Sequence, residues 1–185
     1  MIKNAIAEME KQMKKTVDAF RGDLATLRTG RANAALLEDI RVAYYGSQMN
    51  LKQVANVSIP EARTIEIKPW DPGVLPEIEK AILKSDLGIT PNNDGKIIRI
   101  SIPKLTEDRR RDLVKTVKKM AEEYRVSVRS ARRDTMDQVK KAEKEKTISE
   151  DERKSSEQVI QKLTDACIKQ VDDILGHKEQ EIMEV

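Results

Sequence analysis

The placement of glycine and proline constrains this chain more than any other feature. All six prolines lie between Pro60 and Pro103, and five of the seven glycines lie between Gly30 and Gly95, leaving only Gly22 and Gly176 outside. From Lys104 through Leu175, 72 consecutive residues contain neither. A stretch of that length without a breaker favours helix, interrupted at most by one turn of other chemistry.

Apolar spacing supports three helices. Ile2, Ile6, Met9, Met13, Val17, Phe20, Leu24 and Leu27 recur every three or four residues, as do Leu113, Val117, Met120, Tyr124, Val128, Ala131 and Val139 with Thr135 in a polar slot. Ile160, Leu163, Cys167, Val171 and Ile174 form a third stripe, which Ile182 extends. Such stripes are the seams of helices packed side by side. The second and third helices separate at Thr147-Ile148-Ser149, where Ser149 and Glu152 have the spacing of a capping box. Between the first and second helices the period changes to two. Residues 40–45, 57–59, 64–68 and 98–102 alternate as strands, and Leu75, Ile78 and Ile82 mark a short helix. The expected fold is therefore α+β: an elongated antiparallel three-helix bundle, 1–29 with 105–185, carrying an inserted small β/α/β domain over 30–104. The chain must leave the bundle and return to it through Gly30-Arg31 and Pro103-Lys104, a two-stranded hinge. Gly22, inside the first helix, is expected to mark close helix packing.

The formal net charge of +3 hides an uneven distribution. Residues 104–146 carry 15 basic and 9 acidic side chains, whereas 147–185 carry 5 and 10. On the second helix Arg111, Lys115, Lys118, Arg125, Arg129, Arg132 and Lys140 share one face, flanked by Arg110 and Arg133. This ridge is expected to be unpaired and to point away from the core, matching a phosphate backbone to which arginine offers bidentate donors. A solvated helical face and an acidic protein partner are the competing readings. Arg28 and Arg31 either touch a ligand or cap the first helix.

Other chemistry is sparse. One cysteine, Cys167, and one histidine, His177, exclude an internal disulfide and a Cys/His metal cluster. Cys167 falls on an apolar seam, and His177 is expected at the surface near a helix end beside Gly176. No nucleophile system, paired catalytic carboxylates or nucleotide loop is recognisable, so no catalytic residue, metal or cofactor is expected. The start of the chain runs into mixed charge without a long apolar run, so neither a secretory leader nor a membrane span is expected, and the expected location is the cytoplasm.

Several short motifs, in order along the whole chain, resemble bacterial ribosome recycling factors. They are Leu27-Arg28-Thr29-Gly30-Arg31-Ala32, Tyr44-Tyr45-Gly46, Glu79-Lys80-Ala81-Ile82 and Ser85-Asp86-Leu87-Gly88. Further along come Pro91-Asn92, Leu105-Thr106-Glu107 with Arg109-Arg110, Val128-Arg129 with Arg132-Arg133-Asp134, and Lys162-Leu163-Thr164-Asp165. The resemblance implies an L-shaped, non-enzymatic, monomeric protein that binds the post-termination ribosome at the ribosomal RNA of the large subunit. It implies action with elongation factor G, which binds the GTP, to separate the subunits and free messenger and transfer RNA. It carries ribosome contact onto Arg110, Arg129 and Arg132, and places Arg28 and Arg31 near ribosomal RNA. The ridge adds Lys118, Arg125 and Arg133. The alternative is a coiled-coil-like adaptor whose basic helix serves solubility.

Overall fold

A computed structural model of the chain describes residues 2–184. The elements in order are helix α1 (Ile2–Ala25), a 3-10 turn (Ala34–Leu37), strands β1 (Arg41–Tyr44) and β2 (Ser47–Asn50), and the one-turn helix α2 (Leu51–Val54). Strands β3 (Ala55–Glu61) and β4 (Thr64–Pro69), helix α3 (Leu75–Lys84), and strands β5 (Asn92–Asn93) and β6 (Ile98–Ser101) follow. Helices α4 (Glu107–Lys144) and α5 (Glu150–Met183) close the chain. The fold is α+β.

Two compact units result: one takes the chain up to Leu24 together with Arg110–Glu184, the other Ala25–Arg109. Residues 25–29 and 105–109, expected with the helices, thus group with the second unit. Helix α1 stops at Ala25, where Asn33 Nδ2 donates to the Ala25 carbonyl (3.2 Å). Gly30 sits at φ +80°, and a Cβ there would come within 3.3 Å of Leu105 Cγ. The bond at Ala25 and the close approach of Leu105 to Gly30 both lie within the second unit.

In the helical unit, α4 has 38 residues, a length of about 57 Å at 1.5 Å per residue. It runs antiparallel to α5, since Arg110 reaches Met183, Arg125 reaches Asp172 and Glu143 reaches Arg153. Met13 lies at Cys167 and Phe20 at Tyr124, so α1 runs with α5 and against α4. The seam pairs large with small residues: α1 buries Met9, Met13, Phe20 and Leu24, whereas α4 buries only Val, Ala and Thr side chains. That complementarity fills the space between close helix axes. Ser149 accepts from Glu152 N while Glu152 Oε2 accepts from Ser149 N, the capping box that starts α5.

One expectation needs correction here. A Cβ at Gly22 meets nothing within 4 Å, so this glycine marks no close packing. Helix α5 continues to Met183, so Gly176 and exposed His177 stand about two turns before its end, near a helix end and at the surface as expected. Lys178, passed over in the sequence, is buried on the α5 seam and held by Glu181, 3.1 Å away.

The second unit has a four-stranded antiparallel sheet, order β3-β4-β6-β5, and a separate β1-β2 hairpin. Alternation puts Ile65, Ile67, Ile98 and Ile100 on one face, where they pack with Leu75, Ile78 and Ile82 of α3. The short strands β2 and β5 lack an apolar alternation and were invisible to the period-two pattern.

Candidate nucleic-acid interface

The position of each ridge residue follows from helix geometry. At 100° per residue, and taking the buried α4 residues Val117, Val128 and Thr135 as centre, Arg132 and Arg125 lie only about 60–80° away. Lys118 and Arg129 lie about 100–120° away and Arg133 about 160°. The ridge therefore starts at the flank of the seam instead of opposite the core. It does so because Arg125 stands four residues past buried Ala121, and Arg132 four residues past buried Val128, an offset of about 40° in each case.

The expectation of an unpaired ridge is overturned for several members. Arg125, half-buried, donates from Nε (2.9 Å) and Nη2 (2.5 Å) to Asp172 Oδ1 of α5, and from Nη1 to Glu122 Oε2 (3.1 Å). Asp172 first, and Glu122 after it, hold the Arg125 pKa above its ordinary value. Lys118 Nζ lies 3.6 Å from Glu179, and Arg110 Nη1 donates to the Met183 carbonyl (3.5 Å) while its Nε is buried without a partner. The excess acid of α5 thus meets part of the excess base of α4 across the helix pair.

Other members stay available. Among the described residues Arg129 is held only by Glu122 of its own helix, and Arg129 first, then Arg125, keep the Glu122 carboxyl below its ordinary range. Among the described residues Arg132 makes one bond, from Nη1 to Gln161 Oε1 (3.3 Å), leaving most of its donors for a ligand. Arg133 is exposed and has no partner among the described residues. The structure brings Arg129, Arg132 and Arg133 together within two turns of α4, a cluster of guanidiniums that can engage adjacent phosphates.

The remaining candidates lie in the second unit. Arg28 is exposed, with no partner among the described residues, and Arg31 is half-buried and engaged. Asn33, unremarked in the sequence, supplies the bond to the end of α1 and also accepts from Ala35 N to start the 3-10 turn. The expected hinge residues Gly30, Arg31, Pro103 and Lys104 all fall within this unit. Flanking them, Ala32 N donates to Ala62 O and Ile102 N to Arg63 O, both at 2.8 Å, so the two passes are tied to the β3–β4 turn. Among the described residues no group of three or more His, Cys, Asp or Glu side chains is placed to hold a metal, and no helix is long and apolar enough to cross a membrane.

Comparison with known proteins gives this geometry its context. The family model described as "Ribosome recycling factor" matches residues 20–183. A ribosome-recycling factor of Syntrophomonas wolfei is 55% identical over 185 residues, covering 100% of both chains, and one from Clostridium perfringens is 54% identical over the same span. A solution structure of the ribosome recycling factor aligns at TM-score 0.82 with 43% identity, covering 100% of this chain and 98% of that one. A further solved structure describes the Thermus thermophilus ribosome recycling factor and Escherichia coli elongation factor G bound to the E. coli post-termination complex. It aligns at TM-score 0.69 and 47% identity over 98% of each chain. With full-length identity above half and a family match over residues 20–183, the chain belongs to the ribosome recycling factor family.

Proposed function

We propose that this chain recycles ribosomes after termination by laying the Arg129–Arg132–Arg133 face of α4 on ribosomal RNA of the large subunit. The observation that carries the reading is this cluster of available guanidiniums on a rigid helix, in a chain of this family. The T. thermophilus relative, described with elongation factor G on the post-termination complex, supplies the partner. Elongation factor G would bind and hydrolyse the GTP, while this chain acts by binding in the cytoplasm, separating the subunits and freeing messenger and transfer RNA. Arg110, Lys118 and Arg125, engaged with α5, would support the face rather than lead it. Arg28, exposed in the second unit, would add an RNA contact.

Movement would be absorbed in the stretches outside regular structure, 26–31 and 102–106, which include Gly30, Arg31, Pro103 and Lys104. In this proposal Gly30→Ala, which strains a left-handed backbone, impairs partner-dependent splitting more than static ribosome binding.

The direct test is a subunit-separation assay on post-termination ribosomes with elongation factor G and GTP. Separation should require the chain, the partner and GTP together. Separation by the partner alone at the same rate would contradict the proposal. An adaptor that only binds another protein would leave ribosomes intact and show no steep salt dependence on RNA.

A further inference from the structure

The chain has five aromatic residues. Phe20 and Tyr124 pack in the helical unit, yet Tyr45 is 82% and Trp70 66% exposed in the second unit. Tyr45 is not mobile decoration. It holds φ +45°, a left-handed conformation that costs a non-glycine residue energy, directly before Gly46. Its ring stands edge-on to Tyr44 (centroids 4.6 Å, 84°), and its hydroxyl donates to Asp71 Oδ2 (2.9 Å). Asp71 follows Trp70 directly, and the Trp70 backbone is fixed by its N–H donating to Val54 O (3.2 Å). Asp71 Oδ1 accepts from Gly73 N (2.9 Å). The bond from Gly73, and then that from Tyr45, lower the Asp71 pKa, which keeps the carboxylate charged at neutral pH. Among the described residues no cation pairs with it.

We propose that Tyr45, Trp70 and Asp71 form a docking site for an arginine side chain presented by a basic protein segment. Charge complementarity selects the occupant. Exposed indole and phenol rings attract a cation through their faces, and guanidinium, planar and weakly hydrated, stacks better than ammonium. The uncompensated carboxylate, bonded to the Tyr45 hydroxyl and next in the chain to Trp70, adds direct attraction for a guanidinium and repels the phosphates of RNA. The site is pre-formed, because both oxygens of Asp71 are already fixed by donors and the Tyr45 ring is held at both ends. It stands on the second unit and is independent of the α4 face.

Trp70 is the only tryptophan, so its fluorescence reports this site alone. The full chain is titrated with the peptide acetyl-Gly-Arg-Gly-Arg-Gly-amide, with the same peptide carrying citrulline for arginine, and with a short uridine oligonucleotide. The arginine peptide should shift Trp70 emission saturably. Citrulline, isosteric but neutral, should bind at least about fivefold more weakly. Asp71→Asn keeps an acceptor for Gly73 N and should lose about five- to tenfold in peptide affinity. Tyr45→Leu, which keeps apolar area without the ring, should lose a similar factor. Equal affinity for the arginine and citrulline peptides, or an Asp71→Asn variant that binds as the parent does, would overturn the proposal. Tighter binding of the oligonucleotide than of the peptide would overturn it in favour of an RNA surface.

Discussion

Arg125 Nη2 lies 2.5 Å from Asp172 Oδ1, and this ion pair fixes which part of the α4 ridge is open to a ligand. The pair joins α4 to α5 at the flank of the seam, with the Arg125 side chain 22% exposed and that of Asp172 51% exposed. Water screens a pair of this kind, so its contribution to folding is below about 1 kcal/mol. Its larger effect is electrostatic, because Asp172 cancels one of the cations nearest the Arg129–Arg132 cluster.

Asp172→Asn should therefore tighten binding to large-subunit RNA at low salt while changing stability little. The plot of log affinity against log salt should steepen by about 0.7–0.9, the equivalent of one more phosphate contact. An unchanged slope would mean that Arg125 lies outside the footprint even when released.

Tyr124 gives a pH dependence with a defined sign. Its hydroxyl donates to Asp23, and that bond, then burial, raise its pKa from 10.0 to about 12. The folded chain holds this proton where the unfolded chain has lost it, so the contribution to stability is fully present below about pH 10. It is lost as pH rises from about 10 to about 12. Urea unfolding at pH 8 and at pH 11 should show the parent losing more stability than Tyr124→Phe over that interval. Equal losses would show that the Asp23 bond does not persist in solution.

Two glycines inside helices offer stabilisation. Gly22 in α1 and Gly176 in α5 each have open space where a Cβ would stand. Gly22→Ala and Gly176→Ala should each add about 0.5–1 kcal/mol, raising the melting temperature by about 1–4 °C for a chain of this size. A fall in melting temperature for either would reveal packing against that position that the structure does not contain.

The helices were legible because their signals are long. The empty run from Lys104 to Leu175, the capping pair Ser149–Glu152 and the isoleucine alternation at 98–102 all carry their structure locally. The face of α4 was less legible. Arg125 and Arg132 each stand four residues after a buried residue, Ala121 and Val128, so they start at the edge of the seam although the ridge as a whole turns away from it. The contact of Arg125 with Asp172 was hidden because it pairs residues 47 apart, which no local pattern encodes. Asn33 was hidden for the same reason, since its bond to Ala25 depends on the turn at 26–32 bringing it back. The site at Tyr45 was hidden because Tyr44-Tyr45-Gly46 and Trp70-Asp71 are brought together only by tertiary contact.

Affinity for the large ribosomal subunit across a salt titration, with Arg129→Ala and Arg132→Ala beside the parent, tests the central claim most directly. Alanine is the better helix former, so α4 should keep its helicity in both variants. Each should bind more weakly at every salt concentration, with a slope shallower than the parent's by about 0.7–0.9 per lost phosphate contact. Affinities and slopes equal to the parent's in both variants would contradict the account, leaving these arginines as a solvated face of the helix.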